Sequence, residues 1–417
     1  GLIESGEVSE ALLDEAVLRV LELKNKLGLF ENPYKDADEE MEKKLLLCPE
    51  HRKAAREAAA ETFVLLENDG ILPLKKEEKV AFVGPYTEEK AIIGSWSIFG
   101  NNDDAVSIKE GVTAKGIQAV WEKGCEVLDV GVKMAGFGSA YENKKSQEEI
   151  DKMTAAAVEA AKKAETGVLC IGEHMVQTGE GASRGDITIP EGQLRLLREV
   201  AAVNDNIAVV LFGGRPVDLR EVKALAKAIL VVWMPGTEGG NAIADVLYGE
   251  VSPGGRLPMS FPYCVGQVPV HYAEFNTGRH FETSQPDNRF QSRYLDIPNA
   301  PLYPFGYGLD YSEFSYGDVC LSSDVLNRGG TITAKATVKN IGEKKATEVV
   351  QLYIRDDKGS VVRPVRELKG FEKITLEEGE EKEVSFVITE DMLKFHDINM
   401  DFVAEAGTCA VYIGGDS

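Results

Sequence analysis

The stretch "TGVLCIGEHMVQTGEGASRGDITIPEGQ", Thr166 to Gln193, opens on an apolar run that closes in Gly172 and ends where a helix should begin, near Pro190. A short run of Val, Leu, Cys and Ile bounded by glycine reads as a buried strand. The polar segment after it carries two glutamates, Glu173 and Glu180. Three other runs have the same form: "KVAFVG", "NIAVVLFGG" and "AILVVWMPG", each rich in Val or Ile and ended by glycine. Helical segments separate them, among them "SQEEIDKMTAAAVEAAKKAE", where Ser146 and Glu149 form a capping-box pattern. This alternation predicts an α/β sandwich domain with a buried, mostly parallel sheet over residues 51–265. In such sheets the reactive loops lie beyond the carboxyl ends of the strands, and Ile171–Gln193 falls at one of those ends.

Outward from this domain the pattern changes twice. Before it, "SEALLDEAVLRVLELKNKLGLF" places Leu12, Leu13, Val17, Val20, Leu21 and Leu27 at helical spacing, with Gly28 as the stop. Nothing in front of this helix can cover its apolar face, so residues 1–50 read as the last helix of an upstream domain plus a linker. A second helix is predicted around "HRKAAREAAAETFVLLEND", ending in the turn cluster Asn68, Asp69 and Gly70. After the α/β domain, residues 266–315 are turn-rich and read as a linker that includes "NTGRHFETSQPDNRFQSRYLD". Residues 316–417 show period-two alternation in "TITAKATVKNIG", "TEVVQLYIRD", "KEVSFVI" and "TCAVYIGG", which predicts an all-β antiparallel sandwich.

With 46 basic against 69 acidic residues, the 417-residue chain has a net charge of −23. That charge repels nucleic-acid phosphates and anionic membrane surfaces and favours a neutral partner or substrate. No run of eighteen apolar residues occurs, so no helix is expected to span a bilayer. The six cysteines are scattered, with neither a Cys-x-x-Cys pair nor histidines at zinc spacing. They read as reduced and mostly buried, which favours the cytoplasm. The chain opens on Gly1 without a charged-then-apolar leader and reads as an excised or processed piece, so a periplasmic or secreted origin stays open.

Glu180 lies among Gly179, Gly181, Ala182 and Ser183, where small residues let a ligand approach the backbone. A carboxyl there can donate a proton to a leaving oxygen. It can equally be a solvated loop carboxylate or the partner of Arg184, four residues on. Glu173 directly follows a strand and serves either chemistry or the bracing of the loop. In "GSWSIFGNNDD", Trp96 and Phe99 suit either stacking on a sugar ring or core packing. His174 has no metal-spaced partner, and no nucleophile elbow, dinucleotide fingerprint or phosphate loop is present.

Taken together, "FVLLENDGILPL", "GSWS", "GEGASRGDITIPEGQ", "WMPGTEGGNAIADVLYGEVSPGGRLPMSFP", "SRYLD" and "LYPFGYGLDYS" resemble glycoside hydrolase family 3 in its three-domain bacterial β-glucosidase form. The later segments "VKNIGEKKATEVVQLYI" and "RPVRELKGFEKITLEEGE" are similar to that family's fibronectin type III-like domain. The resemblance implies a retaining glycosidase acting on β-glucosides or gluco-oligosaccharides, with no metal or organic cofactor. An Asp on an N-terminal (β/α)8 barrel would be the nucleophile, and Glu180 would match the acid/base glutamate. Glu173 is the second choice for that role, and Ser95 and Trp96, with Phe99 as the weaker third, would border the sugar. Retaining chemistry places the two carboxyls about 5–5.5 Å apart, and the proton on the acid should follow the charge on its neighbour. The resemblance also implies that the chain is the portion after the barrel and is inactive without it. β-Xylosidase, a phosphorolytic relative and a non-catalytic carbohydrate-binding fragment are the alternative readings; a homo-oligomer remains open.

Overall fold

The computed structural model describes residues 1–35, 37–136, 139–277, 279 and 289–417. Most of the stretch read as a linker around "GRHFETSQPDN" lies outside the described residues. Residues 1–53 and residues 54–417 form two compact units. In the first, α1 (Glu10–Lys26) and α2 (Glu39–Leu45) bury none of their residues. The apolar stripe of α1, including Leu12, Leu13, Val17, Val20 and Leu21, is exposed.

The helix α3 (Pro49–Thr62) contributes the buried Ala59 and Ala60 to the second unit. Its end corrects the sequence reading: the residues expected to continue it form a strand, β1 (Val64–Asn68), paired antiparallel with a later strand. A continuous run such as Phe63-Val64-Leu65-Leu66 has no periodicity that separates a buried strand from a buried helix, and sheet pairing decides it.

The remaining elements of this domain follow in the expected alternation: β2 (Val80–Val83), α4 (Ile108–Ala114), β3 (Val120–Glu122), a hairpin of β4 (Lys133–Gly136) and β5 (Ser139–Glu142), then α5 (Gln147–Lys163) and β6 (Thr166–Gly172). After these come α6 (Glu191–Ala201), β7 (Ile207–Phe212), α7 (Arg220–Leu225), β8 (Ala228–Trp233) and α8 (Gly239–Leu247). The main sheet has six strands in the order β1-β8-β7-β6-β2-β3, and all but β1 run parallel. Strands β2, β6 and β7 are buried along their whole length, as apolar strands covered on both faces must be. Phe82, Val168, Val210 and Leu230 point to the face covered by α4 and α8. Ala81, Leu169, Val209 and Ile229 point to the face covered by α5 and α6. The capping box at Ser146 and Glu149 is formed at the start of α5.

The strand order decides where a ligand can sit. From β2 the chain moves outward to β3, then crosses back over β2 to β6 and continues the other way. The connections after β2 and β6 therefore diverge and leave a crevice at the carboxyl ends of those two neighbouring strands.

The stretch 302–311, read from the sequence as linker, is built into the α/β body. Leu309 N–H donates to the Leu65 carbonyl at 2.8 Å, and the Tyr311 hydroxyl donates to the Val246 carbonyl at 2.8 Å. Its tyrosines and leucines supply apolar surface to the open edge at β1, a role that turn-rich composition does not reveal.

The last domain is a β-sandwich. One sheet holds β9 (Phe314–Tyr316), β10 (Cys320–Leu321), β11 (Thr331–Asn340) and β14 (Glu381–Thr389), and the other holds β12 (Ala346–Asp356), β13 (Glu367–Leu376) and β17 (Cys409–Gly414). Between β14 and β17 lie a helical turn, α9 (Glu390–Leu393), and the short pair β15 (Phe395–His396) and β16 (Phe402–Val403). Ile332 and Ala334 of β11 meet Leu352 and Ile354 of β12 between the sheets. The other face of β12 is turned to the α/β domain: Gln351 donates to the Gly306 carbonyl at 3.1 Å, and Tyr272 lies edge-on to Tyr353. Arg256 and Glu348 form an ion pair of 2.8 Å across this junction, both largely buried.

All six cysteines are free, but only Cys125 and Cys170 are buried; Cys48 and Cys264 are half-buried, and Cys320 and Cys409 are exposed. The expectation of mostly buried thiols is thereby corrected: Cys320 lies on a short strand and Cys409 at the start of another, where side chains alternate outward. Burial pushes the Cys125 thiol up to about 12. Among the described residues no helix is long and apolar enough to cross a membrane.

The buried Arg256–Glu348 pair gives a direct test of the junction. Arg256→Met should cost about 3–5 kcal/mol in denaturant unfolding, because a carboxylate is left buried without its partner. Arg256→Met combined with Glu348→Leu should recover most of that loss. Equal destabilisation in the single and double variants would mean that packing, rather than charge pairing, holds the domains together.

Candidate active site

The crevice predicted by the strand order is occupied by two loops. The loop after β2 carries Gly94, Ser95, Trp96 and Ser97; the loop after β6 carries Glu173 to Pro190. They meet at Gly179, whose backbone is in the left-handed region at φ 101° and whose missing Cβ would overlap the Ser95 side chain. Any larger residue at Gly179 would therefore push the two loops apart. Between them lies a cavity of about 180 Å³ lined by Ser95, Trp96, Glu180 and Arg184 from the loops and by Met134 and Ala135 from the hairpin.

The structure brings together Ser95, Trp96 and Glu180, three of the five residues singled out in the sequence. Trp96 is 60 % exposed and lines the cavity. Phe99 is 100 % exposed and does not line the cavity. It sits three residues further along the loop than Trp96, beyond the contact with Gly179, and neither core packing nor the cavity claims it.

Glu180 is exposed to the cavity, and among the described residues its carboxyl has no hydrogen-bond or ion-pair partner. The expected alternative partner, Arg184, is engaged elsewhere. Four residues are one helical turn only in a helix, and this segment is a loop; Arg184 turns back to Glu173, with Nη1 2.6 Å from Oε1.

Glu173 is 0 % exposed, and its carboxylate is held by two guanidinium groups. Besides Arg184, Arg215 donates from Nε to Glu173 Oε2 at 3.2 Å. The same arginines carry the loop backbone: Arg184 Nη2 donates to the Thr188 carbonyl at 2.9 Å, and Arg215 Nη2 donates to the carbonyls of Gln177 and Ala182 at 2.6 and 2.8 Å. A buried carboxylate is stable only when paired and hydrogen-bonded in this way. With both oxygens taken, Glu173 acts as the brace of the loop, and it is absent from the cavity lining.

The rest of the loop is fixed from below. Gln193, fully buried at the start of α6, accepts from Gly172 N–H at 2.7 Å and donates to the carbonyls of Gly172 and Val127 at 2.9 and 2.8 Å. His174 Nδ1 accepts from Val176 N–H at 3.3 Å, while the Gln177 side chain accepts from the His174 backbone N–H at 2.9 Å. Burial holds the His174 imidazole below its usual range, and its ring packs against Tyr141 of β5 with centroids 5.0 Å apart. Among the described residues no group of three His, Cys, Asp or Glu side chains is placed to hold a metal ion.

Sequence reasoning missed Arg215, Gln193 and the hairpin. The available signal for Arg215 was "FGGRP": a cation just past the end of β7, the strand beside β6. The glycines there permit close approach, since a Cβ at Gly214 would come within 2.8 Å of the Thr178 side chain.

Residues 63–311 match the family model for the glycosyl hydrolase family 3 C-terminal domain, and residues 348–417 match the fibronectin type III-like domain. The chain is 43 % identical to a periplasmic β-glucosidase of Salmonella typhimurium over 100 % of its own length and 56 % of that protein's. It is 37 % identical to a putative β-xylosidase of Formosa agariphila, with 98 % and 50 % covered. Among solved structures, a mutant β-glucosidase from Listeria innocua in complex with laminaribiose superposes with a TM-score of 0.87 at 39 % identity, covering 100 % of this chain and 55 % of that one. The chain thus spans about half the length of the relatives it matches. On the fold, the order of its motifs and these matches, it belongs to glycosyl hydrolase family 3 through that family's C-terminal and fibronectin type III-like domains.

Proposed function

We propose that this chain supplies the general acid/base, Glu180, to a retaining β-glucosidase whose nucleophilic carboxylate lies on an N-terminal barrel. The observation that carries the reading is the Glu180 carboxyl, which has no partner among the described residues and lines a cavity at the sheet's crevice together with Ser95 and Trp96. In the first step the nucleophile attacks the anomeric carbon as the bond to the glycosidic oxygen breaks, and Glu180 passes its proton to that oxygen. In the second step the Glu180 carboxylate takes a proton from water, whose oxygen attacks the anomeric carbon and releases the nucleophile. Trp96 would offer a flat apolar surface to the sugar or to the group leaving from it. The relative named "putative β-xylosidase" supports a second reading with the same chemistry on a pentose. Comparing aryl β-D-glucoside and aryl β-D-xyloside under the same conditions decides between them.

In the full-length enzyme, Glu180→Gln should lower kcat/KM for an alkyl β-glucoside by about 10²–10⁴-fold, because only a poor leaving group needs the proton. A dinitrophenyl β-glucoside should be affected far less in its first step. An equal loss on both substrates would assign the acid role to another group.

The 417 residues alone should not hydrolyse an aryl β-D-glucoside, and adding the separately produced barrel should restore turnover. Turnover by this chain alone that disappears in Glu180→Gln would place a nucleophile within it and overturn the division of roles.

A further inference from the structure

Glu180 stands on a loop whose backbone is intrinsically loose, with Gly179, Gly181 and Gly185 around it. Its carboxyl nevertheless has to meet one particular oxygen. The two backbone carbonyls that flank it, Gln177 three residues before and Ala182 two residues after, both accept from the same nitrogen, Arg215 Nη2, at 2.6 and 2.8 Å. Arg215 is not part of that loop; it follows β7, one strand further along the sheet. Its Nε is held in turn by the buried Glu173 at the root of the Glu180 loop. One planar guanidinium thus joins the root of the loop, its ascending limb and its descending limb, and draws the loop into a closed arch with Glu180 at the crown. The guanidinium fork suits this task because its donors are fixed relative to one another.

We propose that Arg215 is the positioning residue for Glu180: by clamping Gln177 and Ala182 it sets where the carboxyl stands relative to the leaving-group oxygen. This rests on the reading of Glu180 as the acid/base. Arg215 does not line the cavity, so it acts on proton transfer only through the loop. Its loss leaves the nucleophile and the sugar contacts of the barrel in place and the Glu180 carboxyl chemically intact, but no longer held at its position.

The informative change is Arg215→Lys. A lysine keeps a positive charge for Glu173, which also retains Arg184, so the buried carboxylate is not left unpaired. A single ammonium cannot reproduce the geometry of the fork across Glu173, Gln177 and Ala182. In the full-length enzyme the variant should keep its melting temperature close to that of the parent. Its kcat/KM for an alkyl β-glucoside should fall by about 10²-fold, the scale of an ångström-sized misplacement, while a dinitrophenyl β-glucoside is hydrolysed at nearly the parental rate. Adding Arg215→Lys to Glu180→Gln should cause little further loss on the alkyl substrate, since both changes remove the same proton transfer.

A loss that is uniform across leaving groups, or one that multiplies with the Glu180→Gln loss, would overturn the proposal and leave Arg215 as a structural brace alone. The Glu180→Gln enzyme measured in parallel separates the two levels. Should it lose both substrates equally, the acid/base assignment falls and the positioning role falls with it. Should it show the leaving-group selectivity while Arg215→Lys does not, only the positioning role is lost.

Discussion

A sheet covered by helices on both faces leaves no room for charge along its strands, so polar chemistry is confined to their ends. Here β2, β6 and β7 are buried along their full lengths, and charge appears only past their carboxyl ends, at Glu173 after Gly172 and at Arg215 after Phe212. Glu173 is the first residue past β6 and is still fully buried. Its charge has to be met within the protein, and the sequence does so with Arg184 from its own loop and Arg215 from the end of the neighbouring strand. Removing either partner would leave the carboxylate under-compensated in a site without water access. The shape of the loop above, with Glu180 at its crown, follows from satisfying that one buried charge.

This arrangement explains which parts were legible in the sequence. The strands β2, β6, β7 and β8 could be read because an unbroken Val- and Ile-rich run ending in glycine has few other uses in a chain of this composition. Strand β1 could not, since "FVLL" follows a helix directly and its partner, Ala228–Val231, lies far along the chain. Glu180 stood out through its small neighbours, a local signal. Arg215 had only the weak mark of "FGGRP": its meaning depends on β7 lying beside β6 in register, Gly172 opposite Phe212, which places the residues after each strand side by side. Phe99 illustrates the converse. Ser95 and Trp96, four and three residues before it, line the cavity, but the loop turns between Ser97 and Gly100 and leaves the ring in solvent.

The same reasoning accounts for the stretch 302–311. Composition marks it as loop, yet Leu309 pairs with Leu65 on β1 and Gly306 lies against Gln351 of the sandwich. A Cβ at Gly306 would overlap the Gln351 side chain, at a backbone φ of 81°. Glycine is therefore required twice at that position, for the conformation and for the approach. The segment is a spacer held on both sides, with the α/β sheet edge on one and β12 on the other. β12 is buried on both faces along much of its length for this reason, whereas a solitary sandwich strand would alternate throughout.

Under the proposed chemistry, this rigidity has a specific use. Retaining hydrolysis needs two carboxyls about 5–5.5 Å apart, and here one of them would come from a different domain. Two positional uncertainties then add: how the domains dock, and how far the loop bearing Glu180 moves on its own. Only the second is controlled within these residues. A glycine-rich loop without cross-links would sample displacements comparable to the tolerance of proton transfer, and the cost of such displacement is steep. Anchoring Gln177 and Ala182 to one guanidinium, itself fixed by a buried carboxylate, removes most of that freedom. The glycines at 179 and 181 can then serve close approach to a ligand without making the acid/base wander.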